Sequence, residues 1–376
     1  MPEPTGPSSR QAAVRAALPS VLAIATSLVV CFVAVAVLRG GVEVAVDAFL
    51  AMTWGAIGDL PKLVDGASIA VLLRPWGESA TKAALLTLTG LSVAVAFRVG
   101  LFNIGAQGQL MVGALAAAVV GAGVELPAFA HVTLCLLAAG AAGALYALGP
   151  ALLKLRRGVH EVISTIMLNW VAVSLVENWL VPGPLRAQVG GGNSVAGTAQ
   201  VHESAELPRL VGEVSRLNAG ILLAVVAALV LWLWLSRFVG GYEWRAVGLG
   251  PEAARAAGID VAGAVVRAMV TSGALAGLAG AVLVLGTEQR YPATLGAPYG
   301  FDGIAMALIG NGHPLGVLAT SVLFGGLRAG GTRMQLFGVH KSFPELIQGL
   351  ALLLVAARLI WVRLVDRLAP PRGGGP

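Results

Sequence analysis

Residues 303–327 read GIAMALIGNGHPLGVLATSVLFGGL and contain no aspartate, glutamate, lysine or arginine. An uncharged run of this length is enough to cross the ~30 Å hydrocarbon core of a bilayer as a helix. In the middle of the run, however, Asn311-Gly312-His313-Pro314 combines residue types that interrupt helices. The stretch therefore predicts two short helices that meet at this break, rather than one continuous span.

Similar uncharged runs recur on both sides of this stretch. They cover residues 17–38, 83–97, 99–124, 126–153, 162–176, 217–236, 268–287 and, interrupted by Arg358, 346–362. The apolar patch at residues 48–58 is too short to cross and is expected at a membrane interface. With the broken stretch counted as two helices, about ten helices cross the membrane.

The distribution of positive charge decides between nine and ten helices. Nine would export the C-terminal arginines Arg363, Arg367 and Arg372, whereas ten makes both termini cytoplasmic. On the ten-helix arrangement, residues 154–157 and 237–260 are cytoplasmic, and the segments 181–216 and 328–341 lie outside. Lysine and arginine favour cytoplasmic segments, so this arrangement is the better one.

Composition places the chain in the membrane class. Of its 376 residues, 57% are hydrophobic and only 12% are charged, and the mean hydropathy is +0.83. Globular proteins carry roughly 25% charged residues. The net charge is +6, and the positively charged residues lie between the apolar runs. This distribution argues against binding to nucleic acid. The sequence therefore predicts an all-α integral membrane protein.

Several motifs of catalytic chemistry do not occur in the sequence. It contains no G-x-x-x-x-G-K-[ST], H-E-x-x-H, C-x-x-C or G-x-S-x-G pattern. The chain is therefore expected not to be an enzyme and to hold no metal or other cofactor. Any energy for transport has to come from a gradient or from a partner.

Two glycine-interrupted segments at membrane depth are candidate functional sites. Residues 100–109 read GLFNIGAQGQ, and Phe301-Asp302-Gly303 precedes the broken stretch. Amides and glycines at this depth suit a cavity, but they equally suit close packing of helices. Their similarity in the two halves indicates inverted repeats around a midplane site. The candidate lining residues are Phe102, Asn103, Gln107, Gln109, Asn169, Phe301 and Asp302.

A third segment, residues 238–262, lies between two apolar runs and is predicted to be cytoplasmic. Pro251 can start a helix and Gly258 can end it, with alanine-rich sequence between them. Small side chains would allow such a helix to enter a groove of another protein. The alternative is a solvated helix on the membrane surface.

Four motifs in this order resemble one family. They are GLFNIG at 100–105, GVHEVISTIMLN at 158–169, the pattern Glu252-Ala253-Ala254-x-x-x-Gly258, and GFDGIAMAL at 300–308. The chain resembles the ABC-importer permeases of the branched-chain amino acid, ribose and nucleoside group. It is most similar to their nucleoside, basic-membrane-protein-linked branch, from about residue 80 to residue 354.

The resemblance implies a domain organisation, partners and a location. It implies one permease domain over residues 1–376, with a cytoplasmic N-terminus (1–16), a first helix (17–38), a core (80–365), a coupling loop (238–262) and a cytoplasmic tail (366–376). It implies that Glu252, Ala253, Ala254 and Gly258 contact an ABC ATPase subunit. It also implies a second, non-identical permease subunit, an extracytoplasmic substrate-binding lipoprotein, surrounding lipid, and a multi-pass location in the bacterial plasma (inner) membrane.

The middle of the predicted spans offers few fixed charges, which favours a neutral polar substrate. By the resemblance, the chain is a permease subunit that carries nucleosides and is driven by a separate ATPase. Simple sugars such as ribose are the alternative substrate. A stand-alone secondary transporter is the other alternative, and Asp302 would then be its ion site.

Overall fold

The computed structural model describes residues 9–187, 196–296 and 298–357. The predicted tail at 366–376, the end of the predicted core at 358–365 and the C-terminal arginines lie outside the described residues, as do residues 1–8. The helices are α1 (Ser9–Leu38), α2 (Val42–Ile57), α3 (Leu60–Val64), α4 (Ala70–Arg98), α5 (Ala106–Gly123), α6 (Ala128–Arg157), α7 (Glu161–Ala172), α8 (Gly220–Arg237), α9 (Val239–Leu249), α10 (Pro251–Ala256), α11 (Val261–Leu283), α12 (Tyr299–Ile309), α13 (Pro314–Met334) and α14 (Phe343–Ala356). Wider π-helical turns extend α7 through Val173–Leu180 and α11 through Val284–Glu288.

Within the described ranges, seven helices are long and apolar enough to cross a membrane. They are Leu18–Leu38, Ala70–Arg98, Ala106–Gly123, Ala128–Arg157, Glu161–Leu180, Gly220–Arg237 and Val261–Glu288. The predicted all-α membrane class is therefore confirmed. The total of ten, the inverted repeats and the cytoplasmic termini stay predictions.

The chain divides into two compact units, residues 53–330 and the chain ends at 1–52 with 331–376. In the first unit, glycines of α11 contact neighbouring helices. A methyl group at Gly277 would overlap the carbonyl oxygen of Ala139 on α6, and one at Gly280 would overlap that of Leu110 on α5. The absence of side chains at these positions lets the backbones approach closely. In the unit of the chain ends, α1 packs against α14, and the rings of Phe32 and Phe49 meet edge to face at 5.4 Å.

The predicted break is confirmed, but only α12, with 11 residues, is short, and α13 has 21 residues. Asn311 and Gly312 take left-handed φ angles of +55° and +62°, between the end of α12 and Pro314 at the start of α13. One boundary is wrong, because the uncharged run that predicted this helix ended at residue 327. The structure instead continues α13 through Arg328 to Met334.

Helix α4 also extends beyond its predicted limits. The uncharged run began at residue 83, but the helix begins at Ala70 and includes Glu78 and Lys82. At its first turns, Ser215 of the long loop after α7 donates a hydrogen bond to the Leu73 carbonyl at 2.6 Å. At the opposite end of α4, α9 packs against the backbone of Arg98. We call these regions of the 53–330 unit the loop end and the α10 end.

Candidate functional site

The predicted segment at 100–109 forms the break between α4 and α5. The Oδ1 atom of Asn103 accepts a hydrogen bond from the Gly105 N–H at 3.0 Å. Its Nδ2 atom donates to Gln109 Oε1 at 2.9 Å and to Ser272 Oγ on α11 at 2.8 Å. Ser272 Oγ in turn donates to the carbonyl oxygen of Ser92 on α4 at 2.6 Å. The break is thereby tied to three helices.

Two further predicted amides belong to the same polar network. Asn169 on α7 accepts from the Gly108 N–H at 2.8 Å and donates to the Ile104 carbonyl at 2.9 Å. Gln107 Oε1 accepts from the N–H of Gly300, in the first turn of α12, at 2.8 Å. Since the first N–H groups of a helix have no partner inside the helix, these side chains satisfy groups that would otherwise be unpaired. Through these hydrogen bonds the network connects α5, α7 and α12 at the break between α4 and α5.

The structure thus brings Asn103, Gln107, Gln109 and Asn169 together, all buried. Each of these amides is engaged by protein groups, and their role in a substrate path stays a prediction. The two aromatic candidates are not part of this network. Phe102 packs on Phe97 with ring centroids 4.8 Å apart, and Phe301 is 44% exposed.

Asp302, the remaining candidate, forms a buried ion pair. Its Oδ2 atom lies 2.7 Å from Nη1 of Arg328 on α13, and each side chain is only about a tenth exposed. The Arg328 guanidinium also lies 5.9 Å from the centroid of the Tyr299 ring. The backbone carbonyl oxygen of Arg328 accepts a hydrogen bond from Lys82 Nζ at 3.2 Å. Charged side chains from α4, α12 and α13 therefore meet within the 53–330 unit.

Next to this cluster, at the loop end, is a cavity of about 290 Å³. Its walls come from α4, the extension of α11, the loop that follows and the start of α12, and they include Glu78, Lys82, Leu283, Thr287, Glu288 and Tyr299. None of these residues was a sequence candidate. The available signal was the pair of charges, Glu78 and Lys82, one helical turn apart just before an apolar run.

Glu177, near the end of the α7 extension, anchors the loop beside the cavity. Its Oε1 atom accepts from the Leu295 N–H at 2.7 Å and lies 3.3 Å from the Tyr291 hydroxyl. Burial, followed by the neighbouring Glu177 carboxylate, raises the pKa of Tyr291 above its ordinary value. The tyrosine is therefore protonated at neutral pH and donates its hydrogen bond.

At the α10 end, the predicted short helix is present. Pro251 begins α10, and Gly258, with φ +83°, follows its end. Glu252 is exposed and pairs with Arg255 at 2.8 Å, whereas Ala254 is buried. Leu249, the last residue of α9, is 91% exposed. An exposed leucine beside an exposed charged helix is suited to contact with another protein.

A chain of contacts connects this helix pair to the break between α12 and α13. A methyl group at Gly248 of α9 would overlap the carbonyl oxygen of Arg98 at the end of α4. The Arg98 side chain donates through Nη2 to the Gly312 carbonyl at 2.7 Å. Movement of α9 can therefore act directly on the end of α4 and, through Arg98, on the break.

Three curated proteins show what this chain is similar to. The guanosine ABC transporter permease protein NupP of Bacillus subtilis is 41% identical, over 75% of this chain and 80% of NupP. The glucose ABC transporter permease protein TsgB13 of Haloferax volcanii is 34% identical, over 79% of this chain and 80% of TsgB13. A second guanosine permease protein of B. subtilis, NupQ, is 27% identical, over 78% of this chain and 92% of NupQ. No solved structure matches the chain.

Residues 76–356 match the family described as branched-chain amino acid transport system / permease component. The predicted family is confirmed, and with it the predicted role as a transport component that is not itself catalytic. Together with the seven apolar helices, this makes the chain a multi-pass protein of the bacterial plasma membrane. The chain belongs to the permease components of the branched-chain amino acid transport family.

Proposed function

We propose that this chain is the membrane-spanning permease subunit of an ATP-driven importer of nucleosides. The observation that carries the proposal is its 41% identity to a guanosine ABC transporter permease over three quarters of the chain. The structure supports the same assignment through a small cavity with charged and apolar residues in its walls at the loop end and an exposed helix, α10, at the opposite end.

The proposed ATPase contact is centred on α10. Glu252, Ala253, Ala254 and Gly258 are the residues that the sequence analysis assigned to it, and the exposed Leu249 adds an apolar anchor. Buried apolar anchors supply much of the energy of protein interfaces. The link through Arg98 to the break gives ATPase movement a route towards α12.

The proposed complex contains a second permease chain and a substrate-binding lipoprotein. B. subtilis has two proteins named guanosine ABC transporter permeases, and this chain is similar to both. That similarity supports a pair of non-identical permease subunits. The loop end is the surface that we assign to the binding lipoprotein, because it carries the cavity.

A sugar is the second candidate substrate, because TsgB13 is named a glucose permease and is 34% identical. A monosaccharide is also small enough for the cavity. A stand-alone secondary transporter has less support, since Arg328 supplies the countercharge of Asp302 and leaves the carboxylate poorly suited to bind a cation.

The decisive experiment is purification of the tagged chain from its native membrane in mild detergent. We expect an ATPase, a second permease and a binding lipoprotein to co-purify, and the assembly to import labelled guanosine into liposomes only with ATP. Preferential uptake of glucose would establish the sugar candidate instead. Activity of the chain alone without ATP would refute the ATP-driven function.

A matched pair of variants tests the assignment of α10. Leu249→Asp is expected to abolish recovery of the ATPase, because it places a charge in the proposed contact. Val64→Asp changes a residue that is 87% exposed on α3, away from the α10 end, and should leave recovery unchanged. Equal ATPase recovery with both variants would remove α10 from the interface.

A further inference from the structure

The cavity at the loop end has the size of a small ligand site. Its volume of about 290 Å³ is near the lower limit of typical ligand pockets, roughly 300–1,000 Å³. It is part of the 53–330 unit alone, and helices wall it on two sides. A nucleoside or a monosaccharide is of the right scale for such a space, whereas a peptide is too large.

The lining of the cavity combines hydrogen-bonding groups of both kinds. Glu78 and Lys82 lie one turn apart on α4 and therefore on the same face of the helix. The carboxylate accepts hydrogen bonds only, and the ammonium group donates only. The Lys82 ammonium already donates to the Arg328 carbonyl, which holds it at the cavity wall.

Charged groups of both signs surround the cavity. Its lining contains two carboxylates, Glu78 and Glu288, and one lysine, Lys82. The Glu78 carboxylate also lies 3.6 Å from Nε of Arg216, which offsets its charge. Hydroxyl groups of a sugar can donate to the remaining lone pairs of the carboxylates.

One polar atom in the cavity wall lacks a partner. The Thr287 hydroxyl oxygen is buried and makes no hydrogen bond in the described protein. A buried hydroxyl without a partner is unfavourable, so it is an unusual group to keep in a wall. Thr81, the other hydroxyl nearby on α4, is already bonded to the Gly77 carbonyl at 2.8 Å. Thr287 is thus a hydroxyl that a ligand in the cavity would satisfy once its side chain turns towards the space.

An aromatic surface lies in the same wall. Tyr299 stands at the start of α12, and its ring is held by the neighbouring Arg328 guanidinium, which Asp302 in turn fixes. Aromatic side chains stack on nucleobases regardless of base identity. The apolar neighbours, including Leu283, complete a surface suited to a flat base.

We infer that this cavity is the outer substrate pocket of the permease and that it binds a nucleoside. The Glu78 carboxylate accepts hydrogen bonds from the ribose hydroxyls, the Thr287 hydroxyl bonds the substrate, and Tyr299 stacks on the base. This inference rests on the proposed function and extends it to residues that neither the family motifs nor the sequence analysis identified.

The test uses the full assembly in liposomes and compares Thr287→Val with Thr87→Val. Both hydroxyls are buried without a partner, but Thr87 lies on α4 outside the cavity lining. Valine keeps the shape and removes the unpaired hydroxyl, so neither variant is expected to impair folding. We expect Thr287→Val to raise the KM for guanosine about 3- to 10-fold and Thr87→Val to leave it unchanged.

A second arm tests the sugar contact by changing the substrate. Wild type is expected to take up 2′,3′-dideoxyguanosine about tenfold less well than guanosine, since the analogue lacks the hydroxyls. Glu78→Gln should reduce this discrimination by weakening guanosine uptake alone. Tyr299→Leu should weaken uptake of both compounds.

The outcomes separate the pocket from the proposed function. Guanosine uptake by wild type with unchanged KM in Thr287→Val and Glu78→Gln would refute the pocket and leave the importer intact. No uptake of any nucleoside by the complete wild-type assembly would overturn both. Equal effects of Thr287→Val and Thr87→Val would show a packing effect and would likewise refute the pocket.

Discussion

Replacement of Asp302 by alanine is expected to lower the free energy of unfolding by about 3–5 kcal/mol. The magnitude follows from the geometry, because Asp302 and Arg328 lie 2.7 Å apart and each side chain is only about a tenth exposed. The variant leaves the Arg328 guanidinium buried without its countercharge, and this loss of compensation causes the destabilisation. At roughly 2 °C per kcal/mol, the melting temperature should fall by about 6–10 °C.

The double variant Asp302→Leu with Arg328→Met separates charge from packing. Removal of both charges leaves no buried ion uncompensated, so the double variant should be more stable than either single alanine variant. The assay is thermal unfolding of a fluorescently tagged chain in detergent, followed by size-exclusion chromatography. A melting temperature of Asp302→Ala within about 1 °C of wild type, or a double variant less stable than both single variants, would refute the reasoning.

Three further perturbations test the helix packing and the contact between Arg98 and the break. Asn169→Leu leaves the Gly108 N–H and a backbone carbonyl unpaired and should destabilise the chain by about 2–5 kcal/mol in the same assay. Gly277→Val forces a side chain against a backbone carbonyl of α6 and should destabilise it by about 1–3 kcal/mol or more, measured by thermal unfolding. Arg98→Leu removes the contact with Gly312 and should reduce guanosine uptake per ATP hydrolysed, while the ATPase still co-purifies.

Each of these variants has a control at an exposed or open position. Gln200→Leu removes an exposed amide, Gly123→Val adds a side chain where no atom lies within 4 Å, and Arg237→Leu removes an exposed guanidinium. All three controls should behave as wild type. An effect in a control equal to that of its partner variant would contradict the corresponding contact.

Local signals in the sequence predicted the breaks well. Asn311 and Gly312 interrupt a helix because their left-handed backbone cannot continue it, and this preference belongs to the residues themselves. Pro251 at the start of α10 and Gly258 just after its end also act through the backbone preferences of the residues themselves. Residue type alone therefore located these particular helix ends.

Uncharged runs located the helices but not their ends. The rule began α4 only after Lys82 and ended α13 before Arg328, although both helices include those charges. Lys82 bonds the Arg328 carbonyl and Arg328 pairs with Asp302, so the charges are satisfied by partners far away in sequence. A criterion based on local charge cannot detect such partners.

The cavity could not be predicted from the sequence for a related reason. Its walls combine Glu78 with Thr287 and Tyr299, residues about two hundred positions apart that meet only after the helices pack. Conversely, the amides that the sequence favoured, such as Asn103 and Gln109, bond to each other and to the backbone. Polar residues at membrane depth are noticeable in either case, and only the tertiary structure separates those that bind protein from those that face a space.

The glycine contacts of α11 have a consequence for how such a protein can diverge. At Gly273, Gly277 and Gly280, the helices touch through backbone atoms, which are the same whatever the neighbouring side chains are. The cavity at the loop end, in contrast, is bounded by side chains. Mutations can therefore alter the chemistry of the cavity without disturbing the centre of the bundle. The same helix packing can therefore be retained while the transported substrate changes.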